Sequence, residues 1–341
     1  MTLEAVKAFL LHYDGPPAAL MEVCGTHTHE ISRWGIASLL SPKIRLVSGP
    51  GCPVCVTVAS YVDRLVELSK KPDHTVLSFG DMLRVKGSVT SLRDGGVRAE
   101  MVYSPFDVLE KAEAQPQMRF VFAAVGFETT APLYALLLEE CVNRGIDNVR
   151  LLTSLKVMPP VIDWVCRRGG VDGFIAPGHV SVITGSEIFR PLAHKYGLPF
   201  AVTGFSGEAI LASLYSLMQN LGRGTVQNLY PSVVTQTGNP KAQALLQHYF
   251  EPCDGAWRGM GILPGSALRL RDEYAPFDVG SAELLEDSEN PGCRCAEILT
   301  GTLRPVDCPL YGQVCTPEHP EGACMVSAEG CCFNWFTHHR T

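Results

Sequence analysis

Thirteen cysteines occur in the chain, and ten of them gather at two stations. Three lie early: Cys24 in Glu22-Val-Cys-Gly-Thr-His-Thr-His29, and Cys52 with Cys55 in Gly49-Pro-Gly-Cys-Pro-Val-Cys55. Seven crowd the last 49 residues, at Cys293, Cys295, Cys308, Cys315, Cys324, Cys331 and Cys332. Thiolate is a soft ligand that selects iron–sulfur clusters, zinc or copper(I), so both stations point to metal and redox chemistry.

The tail reads Cys-x-Cys-x12-Cys-x6-Cys-x8-Cys-x6-Cys-Cys. A [4Fe–4S] cluster needs four thiolates, which leaves spares for a separate dithiol/disulfide unit. Structural zinc competes, but it usually brings two C-x2-4-C knuckles, and this segment has none. The spacing favours a cluster while zinc and oxidised or free thiols stay open. At the early station, Cys52-Pro-Val-Cys55 is expected at a helix N-terminus, where backbone amides and the macrodipole lower thiol pKa. Taken alone it suggests a general thiol–disulfide oxidoreductase. That reading leaves Cys24, His27 and His29 unexplained. Three thiolates on different turns, with open coordination positions, suit a low-valent metal that must accept exogenous ligands. The two histidines either join that chemistry or simply hydrogen-bond within their turn. No C-x3-C-x2-C radical motif and no G-x-x-x-x-G-K-[ST] phosphate loop is present. Cys141, Cys166 and Cys253 are isolated and read as small semi-buried hydrophobes.

The elements that position these residues follow from periodicity. Short apolar runs at Ala19–Val23, Ile44–Ser48, Thr75–Phe79, Ala99–Tyr103, Phe120–Val125, Val149–Thr153, Gly173–Ala176 and Phe200–Thr203 alternate with amphipathic segments. The latter include Val58–Lys70, Pro132–Arg144, Pro160–Arg168 and Ser186–Tyr196. Such alternation argues for an α/β fold: two Rossmann-like parallel-sheet domains facing a cleft, plus a small Cys-rich C-terminal [4Fe–4S] domain. The expected divisions are 1–118, 119–254 and 255–341. Five polar turns bearing Cys, His, Asp or Glu, at Cys24, Gly49–Cys52, Gly80–Asp81, Gly126–Thr130 and Pro177–Ser181, follow strands. Ligands in open α/β sheets bind beyond the carboxyl ends of strands, so these turns should line the cleft.

The chain has 341 residues, 46% hydrophobic and 18% charged, enough for a sizeable core. Its formal charge of −7 disfavours nucleic acid as a partner. The longest apolar stretch, Phe120–Leu137, is broken by Glu128 and Pro132, so no membrane span is expected. The N-terminus lacks a basic region and a small-residue cleavage site, which makes a cytoplasmic location the expectation. There, cysteines serve as ligands or redox groups rather than as a disulfide framework.

Along essentially its whole length the chain resembles the HypD family of hydrogenase maturation factors. The matching stretches are Met21-Glu-Val-Cys-Gly-Thr-His-Thr28, Gly49-Pro-Gly-Cys-Pro-Val-Cys-Val-Thr57, Phe79-Gly-Asp-Met-Leu-Arg84, Gly126-Phe-Glu-Thr-Thr-Ala-Pro132 and Pro177-Gly-His-Val-Ser181. Asp307-Cys-Pro-Leu-Tyr-Gly312, Cys315-Thr-Pro-Glu318 and Cys324-Met-Val-Ser327 extend the match into the tail. The resemblance implies a redox-active scaffold that, with the small chaperone HypC, assembles the Fe(CN)2CO moiety of [NiFe]-hydrogenase. Fe(II) would be bound transiently, a HypE-like protein would donate cyanide, and the hydrogenase large-subunit precursor would receive the product.

Cys24, Cys52 and Cys55 match the family's essential cleft thiols, with His27 counted beside them. Cys52 and Cys55 are the candidates for iron binding or electron relay. The family's cluster, in an environment like that of ferredoxin–thioredoxin reductase, carries over to Cys293, Cys308, Cys315 and Cys332. Its redox disulfide carries over to Cys295 and Cys324, and electrons are expected to pass from the tail to the cleft thiols. Cys331 stands where the family usually has a small residue, so Cys332 is the expected ligand of that adjacent pair. Two departures stand out: Gly204-Phe-Ser-Gly-Glu208 replaces a second Gly-Phe-Glu motif, and Lys86 stands where proline is common.

Overall fold

A computed structural model describes residues 2–281 and 291–338. Its strands are β1 (Ala18–Glu22), β2 (Ile44–Ser48), β3 (His74–Ser78), β4 (Ala99–Met101), β5 (Arg119–Gly126), β6 (Val149–Lys156), β7 (Gly173–Ala176), β8 (Phe200–Val202), β9 (Val226–Asn228), β10 (Phe250–Trp257) and β11 (Gly261–Leu270). They form two sheets. The first runs β2-β1-β7-β8-β9 and is parallel throughout. The second runs β10-β11-β6-β5-β3-β4, parallel from β6 to β4, with β11 and β10 added antiparallel at one edge. The α/β architecture with two parallel-dominated sheets is as the sequence suggests, and all eight expected strands form with ends shifted by at most three residues.

Sheet membership interleaves along the chain. β1 and β2 belong to the first sheet, β3 to β6 to the second, β7 to β9 to the first again, and β10 and β11 to the second. A cut after residue 118 would pass between β4 and β5 of one sheet, and a cut after 254 would split β10. The segment 250–270, where the sequence reading places no strand, is a long hairpin. Pro252, Gly255, Pro264 and Gly265 break its hydrophobic pattern. Proline is tolerated there because β10 is an edge strand, and a register shift falls between Cys253 and Gly255. β11 pairs with β6 only at Ala267 and Leu268, which leaves the stretch around Pro264 free of that ladder.

Strand periodicity sorts side chains into four layers. Ala19 and Met21 of β1, with Val23 just beyond it, face the helices Met158–Arg168 and Arg190–Tyr196, together with Cys295, Cys324, Met325, Cys331 and Cys332 of the tail. Ala18 and Leu20 face the other way, onto the helices Leu3–Leu11 and Gly207–Gln219. In the second sheet Phe120, Phe122 and Ala124 pack under the helix Ala131–Arg144. Val121, Ala123 and Val125 pack under the helix Ala59–Ser69, with Ala323 and Val326 of the tail. The tail therefore contributes to a core layer of each sheet. A buried Leu or Phe contributes roughly 1.5–3 kcal/mol, whereas exposed ion pairs such as Arg294–Glu297 are each worth under about 1 kcal/mol. Apolar layers hold the sheets and tail together. Among the described residues no helix is long and apolar enough to cross a membrane.

Candidate functional site: two adjoining cysteine turns and a cysteine-lined tail

Cys24 lies two residues beyond β1 and stands at the N-cap of the helix Gly25–Arg33. The backbone amides of Thr26 and His27 donate to its sulfur. Burial outweighs them, and Glu329 and Glu22 add negative charge, so the thiol is pushed up to about 12. Cys24 is consequently a protonated thiol at neutral pH.

The turn after β2 lies directly against this residue. The Gly25 amide donates to the Gly51 carbonyl at 3.2 Å. A Cβ on Gly51 would stand 2.2 Å from the Cys24 nitrogen, so glycine is what lets the two turns meet. Cys52 and Cys55 follow at once, both buried, joined as a disulfide with Cα atoms 5.2 Å apart. They do not open a helix: residues 53–56 form a turn and the helix begins at Ala59. The macrodipole expected at this motif is absent, because Val56-Thr57-Val58 must first redirect the chain. The Cys55 amide points at Cys52 Sγ (3.2 Å), and Cys55 Sγ lies 4.0 Å from the Ala323 carbonyl of the tail.

His27 is fully buried. Its Nε2 meets the Gly204 carbonyl at 3.0 Å, which assigns the proton to that nitrogen, and Nδ1 has no partner. Burial pushes its pKa down to about 4. The ring lies 4.8 Å from Phe205, which stacks on His179 at 4.2 Å. His29 instead reaches the tail, with Nδ1 3.0 Å from Asn334 Oδ1. Glu208, the displaced acid of the altered Gly-Phe-Glu motif, is exposed and opens the helix after Phe205.

In the tail, Cys293, Cys295, Cys308, Cys315, Cys324 and Cys332 line one small cavity. Cys331 lies outside that lining, in a separate hollow with Val47, Ser48 and Trp335, and bonds Ser48. Cys324 Sγ stands 3.2 Å from Cys332 Sγ and is also hydrogen-bonded to Cys295. Cys295 and Cys324 thus touch, as thiols, without a disulfide between them. The Glu321 amide meets Cys315 Sγ at 3.3 Å, and Lys86 holds Glu321 at 2.7 Å, so the unusual lysine braces this wall. Among the described residues no three Cys, His, Asp or Glu side chains close around a single-ion position, in the tail or at Cys24, Cys52 and Cys55. Six thiols around one cavity suit a cluster, whose cube spreads its ligands over four irons, better than a lone zinc.

Two carboxylates went unassigned in the sequence. Glu22 is buried; it accepts from the Cys24 amide at 3.0 Å and from the Thr28 hydroxyl, and it also bonds Ser48. Burial pushes it up to about 8. Its place two residues after Leu20, on the same face of an apolar strand, was a usable signal. Glu329 comes from the tail, accepts from Thr26 Oγ1 at 2.8 Å and lies against Gly25. Nothing in its sequence neighbourhood marks it. Together buried Glu22, half-buried Ser48 and buried Cys331 link the Cys24 turn to the tail.

The family model HypD, described as "Hydrogenase formation hypA family", matches residues 3–339. The hydrogenase maturation factor HypD of Azotobacter vinelandii is 40% identical over 338 residues, 94% of this chain and 89% of that protein. That of Rhizobium leguminosarum bv. viciae is 40% identical over 330 residues, covering 92% and 86%. That of Rhodobacter capsulatus is 37% identical over 335 residues, covering 93% and 88%. With matches spanning both cysteine stations, the chain belongs to the HypD family of hydrogenase maturation factors.

Proposed function

We propose that this maturation factor is a redox-active scaffold on which, together with a HypC-like chaperone, Fe(II) receives its cyanide and carbonyl ligands. The product would pass to the hydrogenase large-subunit precursor, with a HypE-like protein as cyanide donor. The observation that carries the reading is the contact of Gly51 with the Cys24 peptide. It sets a lone thiol beside a dithiol/disulfide pair at the carboxyl ends of two adjacent parallel strands.

Each residue has a task. Cys24 supplies an anionic sulfur once its proton is removed, and an electron-rich iron is what strong-field diatomic ligands require. The Thr26 and His27 amides stabilise that thiolate. His27, held neutral, keeps the Gly204 turn over the helix and adds no positive charge. Cys52 and Cys55 hold two electrons when reduced and release them on closing the disulfide. Cys293, Cys308, Cys315 and Cys332 are the proposed cluster ligands, and such a cluster would supply one-electron reducing power beside Cys295 and Cys324.

A general disulfide oxidoreductase would also use Cys52 and Cys55. It needs a sulfur that a protein disulfide can reach, and these are 4% and 0% exposed. The deciding experiment replaces Cys24, Cys52 and Cys55 separately by alanine and copurifies each variant anaerobically with its small partner. Loss of the infrared CN and CO bands and of hydrogenase activity is the expected result. Retention of both in all three variants would overturn the assignment.

A further inference from the structure

A second cavity, of about 350 Å³, lies between the ends of β6, β10 and β11. None of the ten clustered cysteines lines it. Its volume lies in the range of small-molecule sites, roughly 300–1,000 Å³. What marks it out is Lys156, the last residue of β6, paired with Ala267 of β11. Lys156 lines the cavity yet is only 4% exposed. Its ammonium sits 5.9 Å from the Trp257 ring centroid. Among the described residues it has no carboxylate partner and no hydrogen bond.

An ammonium withdrawn from water without a counter-charge costs several kcal/mol, which an aromatic face only partly offsets. Burial accordingly pushes Lys156 down to about 8, and its one ionisable neighbour is the Cys253 thiol. Other charges at the cavity are committed. Arg269 pairs with Glu251, and Asp254 accepts from the Gly265 amide at 3.0 Å. Val58, Tyr61, Leu155 and Leu268 supply apolar wall.

We propose that this cavity binds a small organic monocarboxylate, its carboxylate paired with Lys156 and its apolar body against Tyr61 and Leu268. One free cation balances one negative charge. A dianion such as phosphate would bring a second negative charge into a pocket that already holds the Asp254 carboxylate. The site uses none of the sulfur chemistry above, so it stands or falls separately from the scaffold reading.

The test uses the full chain, purified anaerobically, with butyrate as probe at pH 7. Saturation-transfer NMR should show butyrate bound to the wild type. The signal should fall by about tenfold or more in Lys156→Met, which keeps the bulk and removes the charge. Inorganic phosphate should fail to displace butyrate. In the wild type, butyrate should also slow acetylation of Lys156 by an amine-reactive reagent, read by peptide mass spectrometry. This second readout decides the matter should Lys156→Met fold poorly. Equal butyrate signal in a folded Lys156→Met, or unprotected acetylation, overturns the site. Displacement by phosphate overturns the monocarboxylate assignment.

Discussion

The Gly25 amide donates to the Gly51 carbonyl at 3.2 Å, so the turn bearing Cys24 and the turn bearing Cys52 are hydrogen-bonded to each other. Their closeness depends on a missing side chain. At Gly51 a Cβ would stand 2.2 Å from both the Val23 carbonyl carbon and the Cys24 nitrogen, and backbone cannot swing aside. Gly51→Ala should cost about 1–3 kcal/mol by overpacking. Gly80→Ala is the control: its Cβ meets only the flexible Met101 sulfur at 3.1 Å. Thermal denaturation should show a lowered midpoint for the first and a nearly unchanged one for the second. Equal midpoints would mean that the two turns are not locked together.

Cys331 and Cys332 are neighbours in sequence with opposite surroundings, one against Ser48 and one in the cysteine-lined cavity. Serine is a poor soft-metal ligand. Cys332→Ser should therefore lose most of the bound iron and acid-labile sulfide, while Cys331→Ser keeps both. Iron and sulfide analysis of anaerobically purified protein measures this directly. The reverse pattern would exchange their roles.

The sequence made the parallel sheets legible because their strands are short, continuous apolar runs buried on both faces, such as Phe120–Val125 and Gly173–Ala176. Periodicity at that length says nothing of which sheet a strand joins, and the interleaving of the two sheets was invisible. β10 and β11 were missed because Pro252, Gly255 and Pro264 read as loop; the edge position of β10 and the short β11–β6 ladder make them tolerable in strands. At the site, cysteine spacing located both stations. It could not show that Cys55 would touch Ala323, or that Glu329 would reach Thr26, since those contacts span 268 and 303 residues.

Glu329 acts on Cys24 through its charge, which with burial raises the thiol. Glu329→Gln keeps an oxygen for the Thr26 hydroxyl but removes that charge. The Cys24 thiolate fraction should rise, and alkylation by iodoacetamide at pH 8 should quicken a few-fold relative to the core residue Cys141. Glu329→Ala also removes the hydrogen bond that ties the tail to Thr26, so it should expose the tail cysteines as well. If Glu329→Gln left the Cys24 rate unchanged, the carboxylate would be structural only.

Glu128 gives a pH signature. Its carboxyl is buried, accepts from the Met158 amide at 2.8 Å through Oε1, and leaves Oε2 without a partner. Burial raises it from 4.5 to about 7. The folded state binds this proton more tightly than the unfolded chain does. Its contribution is therefore whole below pH 4.5 and is lost as pH climbs through about 7. The loss amounts to at most about 3 kcal/mol for a shift of this size. His27 works in the opposite sense at acid pH, because its neutral form is the buried one and it charges only near pH 4. Urea unfolding of wild type and Glu128→Gln at each pH cancels that term. The two should match near pH 5, and the variant should be the more stable at pH 8. A constant difference across that range would show that Glu128 is ionised throughout.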